Sequence, residues 1–250
     1  MASVVSSPVG RLSSLPADFL LKALKLKVFV NVKHKSPALR YIYLHDRYAI
    51  ASDGYLLVKV NLPSEVEGEI FLPPKDRAIG EFLKELEDTP VALRQEEDKL
   101  IAELPHGEVF FGKTLEGYEY APYQKLEGFS SDFRFTIPEE ELKEVRSFFR
   151  AVDSLRHSWA VYEIEGSTLR ISVEELYPDG VTGEIEIRVE GRKGEPVRFE
   201  GWAGIVDKLF RYIELDVIDV GSALEKPMLR VKGRFRGMEC VAYAVLGETT

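Results

Sequence analysis

"SLPADFLLKALK" at Ser14–Lys25 returns in altered form as "TIPEEELKEVRS" at Thr136–Ser147, an offset of about 122 residues. Each copy has an apolar residue, a proline, two or three polar or small residues, and then a run with helical spacing. The segments after each copy repeat as well. "RYIYLHDRYAIASDG" in the first half and "AVYEIEGSTLRISVEE" in the second alternate apolar with polar residues, which predicts strand, turn, strand in both. Farther on, "EIFLPPKDRAIGEFLKELEDTPVALRQEEDKLIAEL" parallels "PVRFEGWAGIVDKLFRYIELDVIDVGSALEKPMLRV", each a short strand, a helix of about ten residues and two strands. The chain reads as a tandem of two units, each helix, strands, helix, strands. The boundary is expected near "EGFSSDFRF", Glu127–Phe135, where polar, Gly and Ser residues cluster, giving domains 1–128 and 129–250. Extended segments dominate over four helices, so the fold class is α+β, with two helices per domain laid on antiparallel sheets.

The chain has 250 residues, 45% of them apolar, enough for two domains that each bury a core. Charged residues are spread along it and aromatics reach 11%, which excludes a disordered chain. A single cysteine, Cys240, rules out an intramolecular disulfide and a thiolate zinc cluster, and reads as a small buried residue. The first residues, MASVVSSPVGRLSSLP, lack a basic start followed by a long apolar segment, and no apolar run approaches the roughly 20 residues that span a bilayer. A cytoplasmic protein without membrane partners is expected, in a host's cytoplasm if a virus encodes it. The net charge of −9 repels nucleic acid on average, so any contact with DNA must come from local basic faces.

Such faces occur on all four helices. In "PEEELKEVRSFFRAVDSLRH", Leu142, Val145, Phe148, Phe149 and Val152 form an apolar stripe while Lys143, Arg146 and Arg150 line up elsewhere. Glu139, Glu140 and Glu141 sit at the start, where acids suit the helix dipole. The first helix offers Lys22 and Lys25, with Lys27 after it; "KDRAIGEFLKELE" offers Lys75, Arg77 and Lys84; "GIVDKLFRYIE" offers Lys208 and Arg211.

In the order and spacing of its motifs the chain resembles the second and third domains of the bacterial replicative sliding clamp, the beta subunit of DNA polymerase III. The resemblance rests on "ASDGYLLVKVNLP" followed by "IFLPPKDRAIGEFLKEL", where that family carries ATDG-x-R-L and then an apolar strand ending in Pro before a basic helix start. It extends through "FGKTLEGYEYAPYQKLEG", similar to the family's D/E-G-x-(F/Y)-P-x-Y segment, to "CVAYAVLG", similar to its terminal Y-V-(I/V)-M-P. It implies the clamp fold, a ring around duplex DNA with helices lining the hole, no cofactor, and sequence-independent contacts through the basic residues just named. It also implies a pocket for short peptide motifs of DNA polymerase and clamp loader, formed by Ser52, Gly54, Tyr55, Leu56 and Leu57, by Pro122, Lys125 and Leu126, and by Ala244, Leu246 and Gly247. The family's first domain has no counterpart here. Six domains per ring then take three copies, as in eukaryotic, archaeal and some phage clamps, and a homotrimer is expected if the head-to-tail contact closes. The family's basic residues at the turn are replaced by Tyr55 and Leu56, and its Met-Pro by Leu246-Gly247, which implies a greasier pocket.

The residues also permit plainer readings. Ser52-Asp53-Gly54 is a tight turn in any protein, with Gly taking a positive φ and Asp bonding its own backbone. A clamp-like module that never closes a ring and competes for clamp partners is the alternative from the same fold. An enzyme or single-strand binder is the alternative from another class. His34, His45, His106 and His157 form no H-x-x-x-H pair, and neither a phosphate loop nor a G-x-S-x-G elbow occurs. Glu163 with Glu165 and Glu174 with Glu175 read as a wet strand face. Trp159 and Trp202 read as packing residues, and Tyr118, Tyr120 and Tyr123 as a cluster whose neighbours Glu116 and Glu119 oppose base stacking.

Overall fold

The computed structural model describes residues 10–74, 77–86, 89–115, 117–120, 122–151, 158–175, 182–191 and 196–247. The sequence readings at Lys75, Glu116, Val152 and His157 fall outside these. The chain divides into two compact units, Met1–Pro122 and Tyr123–Thr250. Both are α+β, and among the described residues they hold four α-helices between antiparallel strands.

Unit 1 runs β1 (Gly10–Pro16), α1 (Ala17–Leu24), β2 (Ile42–Ser52), β3 (Leu56–Leu72), α2 (Arg77–Leu86), β4 (Pro90–Glu96), β5 (Lys99–Leu104) and β6 (Gly107–Lys113). Its strands pair antiparallel in the order β2-β3-β1-β4-β5-β6. Helix α1 has no side-chain cap; the amide of Ala17 donates to the carbonyl of Thr89 at 3.1 Å, satisfying one of the donors a helix start leaves open. Ala17, Leu20, Ala23 and Leu24 are its buried residues, and α1 packs on α2.

Unit 2 runs β7 (Ser130–Thr136), α3 (Glu139–Ala151), β8 (Ser158–Glu165), β9 (Thr168–Glu175), β10 (Gly183–Arg188), β11 (Glu190–Gly191), β12 (Val197–Trp202), α4 (Ala203–Tyr212), β13 (Glu214–Ala223), β14 (Lys226–Phe235) and β15 (Met238–Val245). Two antiparallel arrays result, β11-β7-β13-β14-β15 and β10-β9-β8-β12. Leu142, Val145 and Phe149 of α3 are buried, and α3 packs on α4 and β10 while α4 packs on β8, β12 and β15. The β13–β14 turn places Leu224 at φ 54° and Glu225 at φ 60°, the pair of positive values that matches the twist of a two-residue hairpin.

Strands β1 and β7 were not anticipated; they precede α1 and α3, so in each unit a strand stands before the first α-helix. Most of the segment expected to hold the domain boundary is β7. Its Phe133 and Phe135 alternate toward the core side, with Phe135 buried and their rings 6.1 Å apart. Its polar residues are also engaged. Ser131 Oγ donates to Asp219 Oδ1 at 2.9 Å and Arg134 Nε to the same oxygen at 2.7 Å, while Arg230 donates to Oδ2 through Nε at 3.1 Å and Nη2 at 2.8 Å. Asp219 is fully buried, and its burial alone would raise its pKa; the hydrogen bonds from Arg134, Arg230 and Ser131 outweigh that and hold the carboxyl below its usual value. The Arg230 guanidinium lies over the Phe129 ring at 4.4 Å.

Candidate functional site

The turn between β2 and β3 is fixed by its own side chains. Ser52 Oγ accepts from the amide of Gly54 at 3.1 Å, and Asp53 Oδ1 accepts from the amides of Tyr55 at 3.1 Å and Leu56 at 2.9 Å. Gly54 has φ +98°, and a Cβ there would stand 2.9 Å from His34 Nε2, so both backbone and space require glycine. The result throws Tyr55 outward, 59% exposed, while Ser52, Leu56 and Leu57 are buried. The two leucines expected as pocket walls therefore fill the interior, and Gly54 and Tyr55 are the members of this group that meet solvent. Beside it in unit 1, Tyr120 stacks on Tyr43 with ring centroids 4.6 Å apart. Its buried hydroxyl has no hydrogen-bond partner among the described residues, and burial, with Asp53 adding to it, pushes its pKa well above the usual phenol value. The segment leading to Tyr120 is held by Gln95, whose Nε2 donates to the Leu115 carbonyl at 2.8 Å and whose Oε1 accepts from the Phe71 amide at 2.9 Å. Pro122 is exposed.

In unit 2, Lys125 is exposed, and Leu126, Ala244 and Leu246 are buried. The amides of Leu246 and Gly247 donate to the carbonyls of Pro227 at 2.9 Å and Glu200 at 2.8 Å, which fixes the chain after β15. A Cβ on Gly247 would come within 2.4 Å of Trp159 Cζ2. The Trp159 indole meets Trp202 edge to face at 5.2 Å and donates from Nε1 to Glu200 Oε2 at 2.7 Å. Both tryptophans are half-buried packing residues, and their link to Gly247 is not legible in the sequence because 88 positions separate Trp159 from it.

The basic residues sort into two groups. In unit 1, Lys22 pairs with Asp18 at 2.7 Å one turn back, while Lys25, Lys27 and Lys84 gather around a notch between α1 and α2. Arg77 opens α2. In unit 2, Arg146 donates from Nε to the Phe210 carbonyl at 2.6 Å and from Nη2 to the Ile213 carbonyl at 3.4 Å, and it lies 3.7 Å from Glu139. It closes the C-terminal end of α4, where backbone carbonyls lack partners. Arg211 pairs with Asp207 at 2.8 Å. Desolvation raises the pKa of Asp207 despite its arginine neighbours, Arg211 foremost. Lys143 and Arg150 are exposed on α3, and Lys208 is half-buried. Cys240 is buried in β15, where burial, with Asp216 and Glu214 adding to it, pushes its thiol up to about 12. Among the described residues no group of His, Cys, Asp and Glu could hold a metal ion, and no helix is long and apolar enough to cross a membrane.

With this geometry in place, the chain can be compared with solved proteins. The DNA polymerase sliding clamp of Caulobacter crescentus superimposes with a TM-score of 0.76 at 14% identity, covering 100% of this chain and 68% of that one. The sliding clamp of Bartonella birtlesii, DNA polymerase III subunit beta bound to griselimycin, gives 0.76 at 17% identity over 100% and 69%. The Pseudomonas aeruginosa sliding clamp gives 0.74 at 13% identity over 98% and 68%. No family model and no curated protein matches the sequence. The chain has the fold of the DNA sliding clamps, as the order of its motifs led us to expect.

Proposed function

We propose that the chain is a sliding DNA clamp, a processivity factor that encircles duplex DNA as a homotrimer and tethers a DNA polymerase through a short peptide motif. The observation that carries this reading is the clamp fold running over the whole described chain, with both units present. Sliding needs phosphate contacts that are exchangeable and blind to sequence, and lysines on helix surfaces supply that chemistry. Tyr55, held outward by a rigid turn, Pro122 and Lys125 are the exposed side chains of the proposed peptide-binding set. A tyrosine presents a large amphipathic surface at low entropic cost, which suits it to anchor a partner's apolar side chain.

Ring closure is proposed to use two strand edges. Strands β6 and β10 end their arrays, with no strand on their outer sides among the described residues. Such edges are templates for pairing. Run antiparallel, the β6 of one copy and the β10 of another can set Glu108 against Arg188 and Val109 against Ile187. Phe110, 58% exposed on β6, would be covered by the contact.

Retention on DNA tests the reading. A ring loaded on a circular duplex stays until the circle is cut and then slides off the ends, so linearisation should release the protein. Equal retention on circular and linear DNA of the same sequence refutes a topological clamp.

A further inference from the structure

We infer that the phosphate grip of the proposed clamp is lopsided: a notch between α1 and α2 in unit 1 takes a phosphodiester of the DNA backbone, and the helix pair of unit 2 takes none. This rests on the clamp reading and goes beyond it, since helices of both units are otherwise equivalent candidates.

The notch has a volume of about 220 Å³ and is lined by Lys25, Lys27 and Lys84 at its charged positions, with Glu81, Gly80 and Pro74 and the apolar Leu21 and Leu24 beside them. Three ammonium groups against one carboxylate leave the notch positive in a chain whose net charge is −9. Gly80 supplies an independent sign. It sits in the interior of α2, where glycine costs roughly 0.5–1 kcal/mol relative to alanine. A Cβ built on it meets nothing within 4 Å, so no neighbour among the described residues explains the missing side chain. A group that approaches the helix backbone from the notch does explain it.

The helix pair of unit 2 offers no such place. Four glutamates, Glu139, Glu140, Glu141 and Glu144, share α3 with Lys143, Arg146 and Arg150. The groove beside α3 is lined by Glu140, Glu144 and Lys143 together with Phe148, Ala151 and Ile185, which makes it acidic and apolar. Of the remaining cations, Arg146 closes α4 through backbone carbonyls, Arg211 is paired with Asp207, and Arg150 and Lys208 also act on the Asp207 carboxylate.

The test compares three variants of the full chain on one duplex oligonucleotide over a range of NaCl concentrations, each first checked by thermal melting. Lys25→Ala/Lys27→Ala/Lys84→Ala should weaken binding and reduce the slope of log K against log salt by about 0.9 for each chain bound, the loss of one phosphate contact. Lys143→Ala/Arg150→Ala/Lys208→Ala should leave the slope unchanged. Gly80→Gln, neutral and a better helix former, should melt higher and bind duplex more weakly, which separates binding from folding. Equal losses in the two triple variants, or full binding by Gly80→Gln, overturn the lopsided grip and leave the clamp reading standing. Absence of duplex binding by the unsubstituted chain, together with equal retention on circular and linear DNA, overturns both.

Discussion

Asp219→Ala should cost unit 2 about 3–4 kcal/mol. The carboxylate is fully buried and accepts four hydrogen bonds from three side chains. Its removal falls unevenly on them. Arg134 has a side chain 59% exposed and can return to water, so its loss is small. Arg230 has a side chain only 15% exposed; without Asp219 it keeps the Phe129 ring but loses its counter-ion. Removing one member of a buried pair typically costs 3–5 kcal/mol because the other charge is left uncompensated, and the exposed Arg134 places this site toward the lower end. At about 4 °C per kcal/mol for a domain of this size, the melting transition should fall by roughly 12–16 °C. Calorimetry on the full chain at neutral pH reads this. Because the folded carboxyl titrates below its unfolded value of about 3.9, its contribution is fully present above that value and is lost as pH falls through the folded pKa. The gap between the two proteins should therefore close in acid. Asp219→Leu/Arg230→Met, which removes both charges and keeps the volume, should recover most of the loss. A shift below 4 °C for Asp219→Ala at neutral pH would show that the network adds little, and the account given of β7 would be wrong.

Two further outcomes follow from the geometry. Glu108→Arg and Arg188→Glu should each shift the assembled species from about 85 kDa, three chains of 28.3 kDa, toward monomer in light scattering, and the double reversal should restore it; failure of the double variant to restore assembly refutes the β6–β10 edge pairing. Gly247→Ala should lower stability by about 1–2 kcal/mol and alter tryptophan fluorescence, since its Cβ would overlap an indole that is already bonded to Glu200; unchanged fluorescence means the contact is not made.

Much of the fold is local enough to be read from the chain. Leu142, Val145 and Phe149 of the α3 stripe, the alternation of β8 and β9, and the turn chemistry of Ser52-Asp53-Gly54 depend on neighbours within a few residues, and they stand in the structure as read. β1 and β7 escaped because their polar positions imitate a loop. Ser131 and Arg134 look solvated until Asp219, 85 or more positions away, is placed beside them. The same distance problem governs the site. Arg146 resembles a surface cation in sequence, but its acceptors belong to residues 64 and 67 positions later. Leu56 and Leu57 are adjacent and both buried, and period-two alternation carries no signal for a strand covered on both faces. The Asp207–Arg211 pair, by contrast, stands at the i, i+4 spacing of one helix turn and could have been subtracted from the list of DNA contacts by inspection.

The chain's one thiol lies inside β15 and ionises only near pH 12. Attack on a maleimide requires the thiolate, so the natural protein is close to inert toward such dyes at neutral pH. A cysteine introduced on an open surface would be the one site a fluorophore finds, with no native sulfur to delete first. Single molecules could then be watched diffusing along stretched DNA, or leaving its ends, with a label whose position is known to the residue.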